Sequence, residues 1–393
     1  MFKSEESKKI YQAIRFCGSL TKRETAKRCG FSLTKTTLLI EEMLENGSLT
    51  SFSGKSNGGR IPQLFKIKSG SSYSVGIDIG TKFRRAIIVD SNDKIASAKE
   101  WDSNFKKPDT LTPDNLVKRI REMVKHIGIE ESKIKAYGIS ITGIVEEKEG
   151  ICYSLRNVPN WKMLPIRDKI MELTNIPYIS VIDSSRAMAI SEQRYGGMRD
   201  IKDFILLNIG FGLGLGIIIN GKLISCERGT TGEIGHMHLR PSTELCVCGN
   251  VGCLEATASG WATLKKCQEG IKSGVETIIN SQNSPEELTL TDIISAANQG
   301  DRFVCRILDK MAKDIAIALG SVINLFNPEK VILSGGLTRA LGNLITNTIV
   351  REVKSAVIPW IQKSINIETS KLDKWDAALG AATIALDRAI EEL

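Results

Sequence analysis

The sequence predicts an α/β body of two similar halves around a cleft, preceded by a small basic winged helix-turn-helix module. Three observations carry that prediction. Residues 1–70 hold thirteen Lys and Arg against six Glu and no Asp, a net of +7, whereas the whole 393-residue chain carries 53 basic and 45 acidic side chains, a net of +8. Two glycine-turn hairpins, at Gly80-Thr81-Lys82 and Gly210-Phe211-Gly212, each open a run of alternating strand and helix patterns. A third glycine turn, Ser334-Gly335-Gly336, follows a strand pattern and precedes a helical one. Two runs with the same opening point to a duplicated α/β unit.

The elements follow in order. Ile10, Tyr11 and Ile14 suit an amphipathic helix over 4–16. Thr21 caps a second helix, with Glu24 three residues later completing a capping box, and Gly30 breaks it. A third helix starts at Ser32 or Thr34, carries Leu39, Ile40, Met43 and Leu44 at helical spacing, and ends by Gly47. Two short β-type runs, 48–52 and 63–67, flank a polar turn and form the wing. In the body, strands are expected at 74–79, 85–90, 135–141, 178–182 and 330–333, helices near 114–127 and 165–173, and the second hairpin over 204–219.

Composition narrows the function classes. A hydrophobic content of 42%, a charged content of 25% and a mean hydropathy of −0.07 describe a globular chain of two or three domains. The most apolar stretch, 205–219, is interrupted by Asn208 and four glycines, so no membrane span is expected. The N-terminus has no apolar core behind its charges, and nine cysteines is an odd number, so a cytoplasmic protein with reduced thiols is expected. The basic excess is confined to the N-terminal module, which points that module alone at a polyanion.

Three of the cysteines cluster. His236 is followed by Cys246, Cys248 and Cys253 in the string GEIGHMHLRPSTELCVCGNVGCLE. Three thiolates and an imidazole make a closed tetrahedral set for structural zinc, and thiolates argue against Mg²⁺ or Ca²⁺. Gly249 and Gly252 allow a tight turn around the metal. His238, two residues on, is a rival ligand that spacing does not exclude.

With GEIGH at 232–236 and CxCGxxGCxE at 246–255, the chain resembles the ROK family of sugar-responsive repressors and sugar kinases. The winged module joined through Gly58-Gly59-Arg60-Ile61-Pro62 is similar to the repressor branch. The resemblance implies a two-lobed, actin-like and hexokinase-like (ribonuclease H-like) body of ATPase type. The expected boundaries are a DNA-binding domain over 1–70, a first lobe over 71–195 joined by a returning helix at about 376–393, and a second lobe with the zinc site over 196–375. It further implies that Glu233, His236 and Glu255 hold a sugar, with Asn157 in RNVPNW and Asp183 beside them. Carboxylates and amides suit a polyhydroxyl ligand.

The kinase machinery of the family is weakened here. The catalytic Asp of its Asn-Asp pair falls on Ser184 when the motif is aligned without a gap from Glu192, and Asp183 takes the role only through a one-residue shift. Asp78-Ile79-Gly80-Thr81-Lys82 lacks the second glycine of the family's phosphate turn, and Phe211 stands where a hydroxyl residue is usual. The expected function is therefore a sugar-responsive regulator, a repressor of carbohydrate genes. An ATP- and Mg²⁺-dependent sugar kinase, of glucokinase or N-acetylhexosamine kinase type, is the alternative. The expected partners are operator DNA, a mono- or disaccharide effector, and further copies of the chain in a homodimer or tetramer. Ser32, Thr34, Lys35 and Thr37 near the start of the third helix are the expected major-groove contacts, and Arg60 a minor-groove arm.

Overall fold

The computed structural model describes residues 4–55, 61–102, 112–155, 161–226, 230–279 and 284–392. They form two compact units, 1–183 with 377–393 and 184–376.

The first unit begins with α1 (Glu5–Cys17), α2 (Lys22–Cys29) and α3 (Leu33–Glu45), followed by the wing hairpin β1 (Leu49–Ser53) and β2 (Gln63–Ile67). Thr21 and Glu24 close the capping box of α2, Gly30 ends that helix at φ 72°, and Ser32 caps α3. The wing is antiparallel, with Leu49 opposite Ile67. This is the order of elements that the sequence predicts.

Next comes β3 (Tyr73–Ile79), β4 (Phe83–Asp90), β5 (Ile95–Asp102), α4 (Pro113–His126), β6 (Ile134–Ile141), β7 (Gly143–Glu146), β8 (Ile151–Leu155), α5 (Ile166–Thr174) and β9 (Tyr178–Asp183). The main sheet runs β5-β4-β3-β6-β9, antiparallel across β5, β4 and β3 and parallel across β3, β6 and β9. Val75, Ile77, Ile139 and Ile141 pack under Leu116, Val117 and Ile120 of α4.

In the second unit, α6 (Ser184–Tyr195) precedes β10 (Phe204–Ile209), β11 (Leu213–Ile219) and β12 (Lys222–Leu223). Then come α7 (Leu254–Ala258), α8 (Gly260–Lys272), α9 (Leu290–Asn298), α10 (Arg302–Phe326), β13 (Lys330–Ser334), α11 (Gly336–Leu341), α12 (Asn343–Ala356), α13 (Pro359–Gln362) and β14 (Asn366–Thr369). Its sheet runs β12-β11-β10-β13-β14, again two antiparallel pairs followed by two parallel ones. Both sheets thus share the strand order 3-2-1-4-5, and the duplication read from the glycine turns is a duplication of topology.

The unit boundary differs from the expected one. Helix α6 belongs to the second unit, not the first, because it lies directly on β11. A Cβ on Gly214 would come within 2.2 Å of Ser185 Oγ, and one on Gly216 within 2.3 Å of Ala189 Cβ. Gly214 and Gly216 are therefore packing residues, needed for the close approach of α6 to β11.

The last helix, α14 (Asp376–Glu392), crosses that boundary at its first residue. Its alanines sit hard on the first sheet: a Cβ on Gly138 would lie 1.9 Å from the Ala381 carbonyl oxygen. Farther along, Leu386 and Ile390 enter the core of the winged module, beside Ile10, Tyr11, Ile14, Phe65 and Ile67. Burying each such side chain contributes about 1.5–3 kcal/mol. The winged module and the first lobe, expected as separate domains, therefore form one compact unit. Among the described residues no helix is long and apolar enough to cross a membrane.

Candidate functional site

The metal cluster assembles on two short segments. His236 ends a turn of 3-10 helix over 234–236, and Cys253 stands at the N-cap of α7. Backbone bonds fold the intervening loop back on itself: Cys246 N–H donates to Asn250 O at 2.8 Å, and Gly252 N–H to Glu244 O at 2.9 Å. One ligand atom from each of His236, Cys246, Cys248 and Cys253 lies within 4.8 Å of all the others. The separations from Cys246 Sγ to His236 Nδ1 and from Cys248 Sγ to Cys253 Sγ are both 3.7 Å. A tetrahedron with ~2.3 Å metal–sulfur bonds has edges of ~3.8 Å, so these two separations are compatible with a shared metal of zinc's size. His238 is exposed, and its Nε2 also comes to 3.7 Å from one sulfur, Cys253 Sγ. The tight four-atom group contains His236 and not His238. Burial, together with the adjacent sulfurs, pushes the Cys253 thiol up to about 12.

The carboxylates flank this cluster. His236 turns Nδ1 toward the sulfurs and Nε2 toward Glu233, whose Oε2 is 3.8 Å away. Glu255, two residues beyond Cys253, accepts the Leu213 N–H at 3.0 Å through Oε2. That oxygen lies where a Cβ on Gly212 would approach to 2.5 Å and one on Gly235 to 3.3 Å. Glu233, His236 and Glu255 are thus gathered in one corner of the second unit. Asp183 ends β9 in the first unit, its N–H donating to Glu147 Oε1 at 3.4 Å. Asn157 lies outside the described residues.

Ser184 is the buried first residue of α6. The Gly210-Phe211-Gly212 turn is fastened to the start of α8, since Gly260 N–H donates to Gly210 O and Trp261 N–H to Phe211 O. Farther along α6, buried Glu192 accepts from the Ser370 hydroxyl. Burial first, and the charge of Asp376 second, raise its carboxyl from 4.5 to about 7. An unfolded chain gives up this proton near pH 4.5, whereas the fold keeps it until about 7. The group's favourable contribution is complete below pH 4.5 and is lost as pH rises to 7, a change of about 3 kcal/mol at ~1.4 kcal/mol per pH unit. Glu192→Gln should flatten the pH dependence of the melting temperature between 5 and 7 and raise the melting temperature at pH 8; calorimetry at pH 5, 7 and 8 checks both.

On α3, the hydroxyl of Ser32 accepts the Lys35 N–H at 3.2 Å and is committed to capping. Ser32, Thr34 and Lys35 are exposed and Thr37 half-buried. Lys35 Nζ pairs with Glu6 Oε1 at 3.0 Å. Leu38, 64% exposed one turn beyond Thr34, was not singled out by sequence; its only signal was an apolar residue on the polar face of the helix. Arg60 lies outside the described residues.

These parts define a class: a duplicated α/β body of sugar-kinase type, with a Cys/His cluster beside two carboxylates and a winged helix-turn-helix before it. A family model described as ROK family matches residues 74–388. The chain belongs to the ROK family. It is 29% identical to the xylose repressor of Caldicellulosiruptor bescii over 350 residues, covering 88% of this chain and 87% of that protein. It is 28% identical to the glucokinase of Thermotoga maritima over 315 residues, covering 80% of this chain and 97% of that protein. A crystal structure of a ROK family transcriptional regulator, a homolog of the E. coli MLC protein, superposes with a TM-score of 0.78 at 22% identity, over 98% of this chain and 95% of that one.

Proposed function

We propose that the chain is a sugar-responsive transcriptional repressor that reads operator DNA with α3 and the wing and holds a sugar at Glu233, His236 and Glu255. The observation that carries this reading is the winged module itself. The glucokinase match takes in nearly all of the kinase yet leaves a fifth of this chain uncovered, whereas the repressor match extends over more of it. His236, Cys246, Cys248 and Cys253 hold a structural zinc whose four positions are all filled by protein, so it shapes the pocket and offers no place to a reacting water. With zinc on Nδ1, His236 keeps Nε2–H as a donor toward Glu233 and the sugar. The protein acts as a homodimer or tetramer on paired half-sites, in the cytoplasm.

In the DNA interface, Thr34, Lys35 and Thr37 enter the major groove, Ser32 fixes the start of the helix, and Leu38 meets a thymine methyl group. Arg60 reaches the minor groove. Lys35→Ala should lower the salt slope of binding by about one, and Arg60→Ala should weaken preference for A·T-rich flanks; sugar affinity should not change in either. Gel shifts at several salt concentrations measure this, and an unchanged slope rejects the Lys35 contact.

The test of the whole reading pairs a thermal-shift screen of mono- and disaccharides, D-xylose first, with gel shifts on the gene's own upstream DNA. A sugar that raises the melting temperature and changes the shift supports it. The kinase alternative rests on Asp183 at the end of β9. Hexose phosphorylation from ATP and Mg²⁺ at ordinary kinase rates, abolished by Asp183→Ala, would replace a pure sensor with an enzyme.

A further inference from the structure

We propose that Arg15 is the positioning residue of the DNA-reading module, clamping it at a fixed angle to α14 and to the turn between β4 and β5. Arg15 lies in the last turn of α1 and is 3% exposed. One arm of its guanidinium, Nη1, donates to Asp387 of α14, and the other, Nη2, donates to Asp93 Oδ1 at 2.7 Å. Asp93 belongs to the β4–β5 turn and holds a left-handed φ of 61°. A single buried cation thus joins three elements, of which only α1 belongs to the winged module.

The same face of α1 continues the contact. Lys8 Nζ donates to Glu391 O at 3.1 Å, and Gln12 Nε2 to Glu391 Oε1 at 3.3 Å. Residues 8, 12 and 15 of one helix therefore address residues 387 and 391 of the other, at the one-turn spacing by which helices pair. Leu386 and Ile390 supply the apolar part of the contact.

The connection from wing to body is sewn to the same turn. Ser91 Oγ donates to Lys68 O at 2.9 Å, Ser91 N–H to Ser72 O at 2.9 Å, and Ser71 and Ser91 share a hydroxyl bond at 2.9 Å. The module is thereby held at two points: the 68–72 segment fixes where it sits, and Arg15 fixes how it is turned. Apolar burial gives affinity without direction. A planar guanidinium donating to two carboxylates is directional, and a buried charge that loses its partners is costly, so this angle is favoured over others. Angle matters where two modules must meet two half-sites at fixed spacing, and the inference rests on the repressor reading to that extent.

The test uses full-length Arg15→Met, Asp387→Asn, and the exchanged pair Arg15→Asp with Asp387→Arg. The DNA probe is a duplex selected from random sequence by the wild-type protein, presented with one half-site or with two. Arg15→Met should bind one half-site within about twofold of wild type and lose at least about tenfold on two, because only paired binding depends on relative orientation. The exchanged pair should recover only part of that loss, because it restores the link to α14 but leaves Asp93 facing a carboxylate. Hydrogen exchange in α1 and in 384–392 should quicken by about tenfold or more in Arg15→Met while β10–β14 stay unchanged. Unchanged binding to two half-sites overturns the proposal; equal losses on one and two also overturn it, since they place Arg15 in the module's own folding. If the wild-type protein selects no DNA, the repressor reading fails by itself, and the exchange arm alone decides the clamp: unchanged exchange in α1 overturns it.

Discussion

A Cys248→Ser protein will carry well under one zinc per chain and will no longer respond to sugar, yet it will still bind DNA. Cys248 is the exposed member of the cluster, so its replacement leaves no hole in a core. What it removes is one of four donors whose atoms all lie within 4.8 Å of one another. The loop then relies on a few backbone bonds, such as Gly249 N–H to Cys246 O at 3.0 Å. His236 and Glu255 stand at its two ends and lose their fixed separation. Second-sphere damage at metal sites typically costs ~10–100-fold, and loss of a ligand costs more. The winged module lies in the other unit and keeps its own core. For a repressor released by sugar, the outcome is permanent repression. Metal analysis, calorimetry with the effector sugar and gel shifts measure the three parts. Wild-type protein without zinc after purification free of chelator rejects the site, and a Cys248→Ser protein that keeps its zinc and its response rejects the coupling.

The second large effect is expected at the carboxylates. Glu255→Gln and Glu233→Gln should each lower sugar affinity by at least tenfold with zinc retained, since a hydrogen bond to a charged group is worth roughly 1.5–3 kcal/mol. Glu255 should be the more sensitive. Its Oε2 is already engaged by the Leu213 N–H, so the carboxylate is oriented before any ligand arrives. An amide in its place must present oxygen to that N–H and nitrogen to the sugar. Glu233, 43% exposed at its side chain, has more freedom to adjust. Wild-type affinity in both variants removes these two residues from the sugar site.

Features set by a few neighbouring residues were legible in the sequence. The capping box at Thr21 and Glu24, the turn at Gly30 and the cysteine spacing each need only a short string, and each has its expected form. Strand β5 was missed because it is an edge strand, mostly exposed, whose residues carry no apolar alternation. The choice between His236 and His238 needed the third dimension: His238 pairs with Cys253 in an isolated bridge, while His236 turns inward from its 3-10 turn. The division at 183/184 was invisible because α6 follows β9 directly, with no glycine or proline between them; only its packing on β11 assigns it. The partners of Arg15 could not be read at all, since Asp387 is 372 residues away.

That last separation bears on how the protein is made. Synthesis proceeds from the N-terminus, and the three helices and the wing emerge first. Leu386 and Ile390, which close one side of their core, emerge more than three hundred residues later. Until then the module lacks one wall of its core, and its buried arginine has Asp93 within reach but not yet Asp387. The nascent chain therefore cannot present a finished DNA-reading surface while the sugar-sensing part is still unmade. The core of the reader is therefore closed only when the last helix of the body has been made, and for a repressor released by sugar the reader and the sensor mature together.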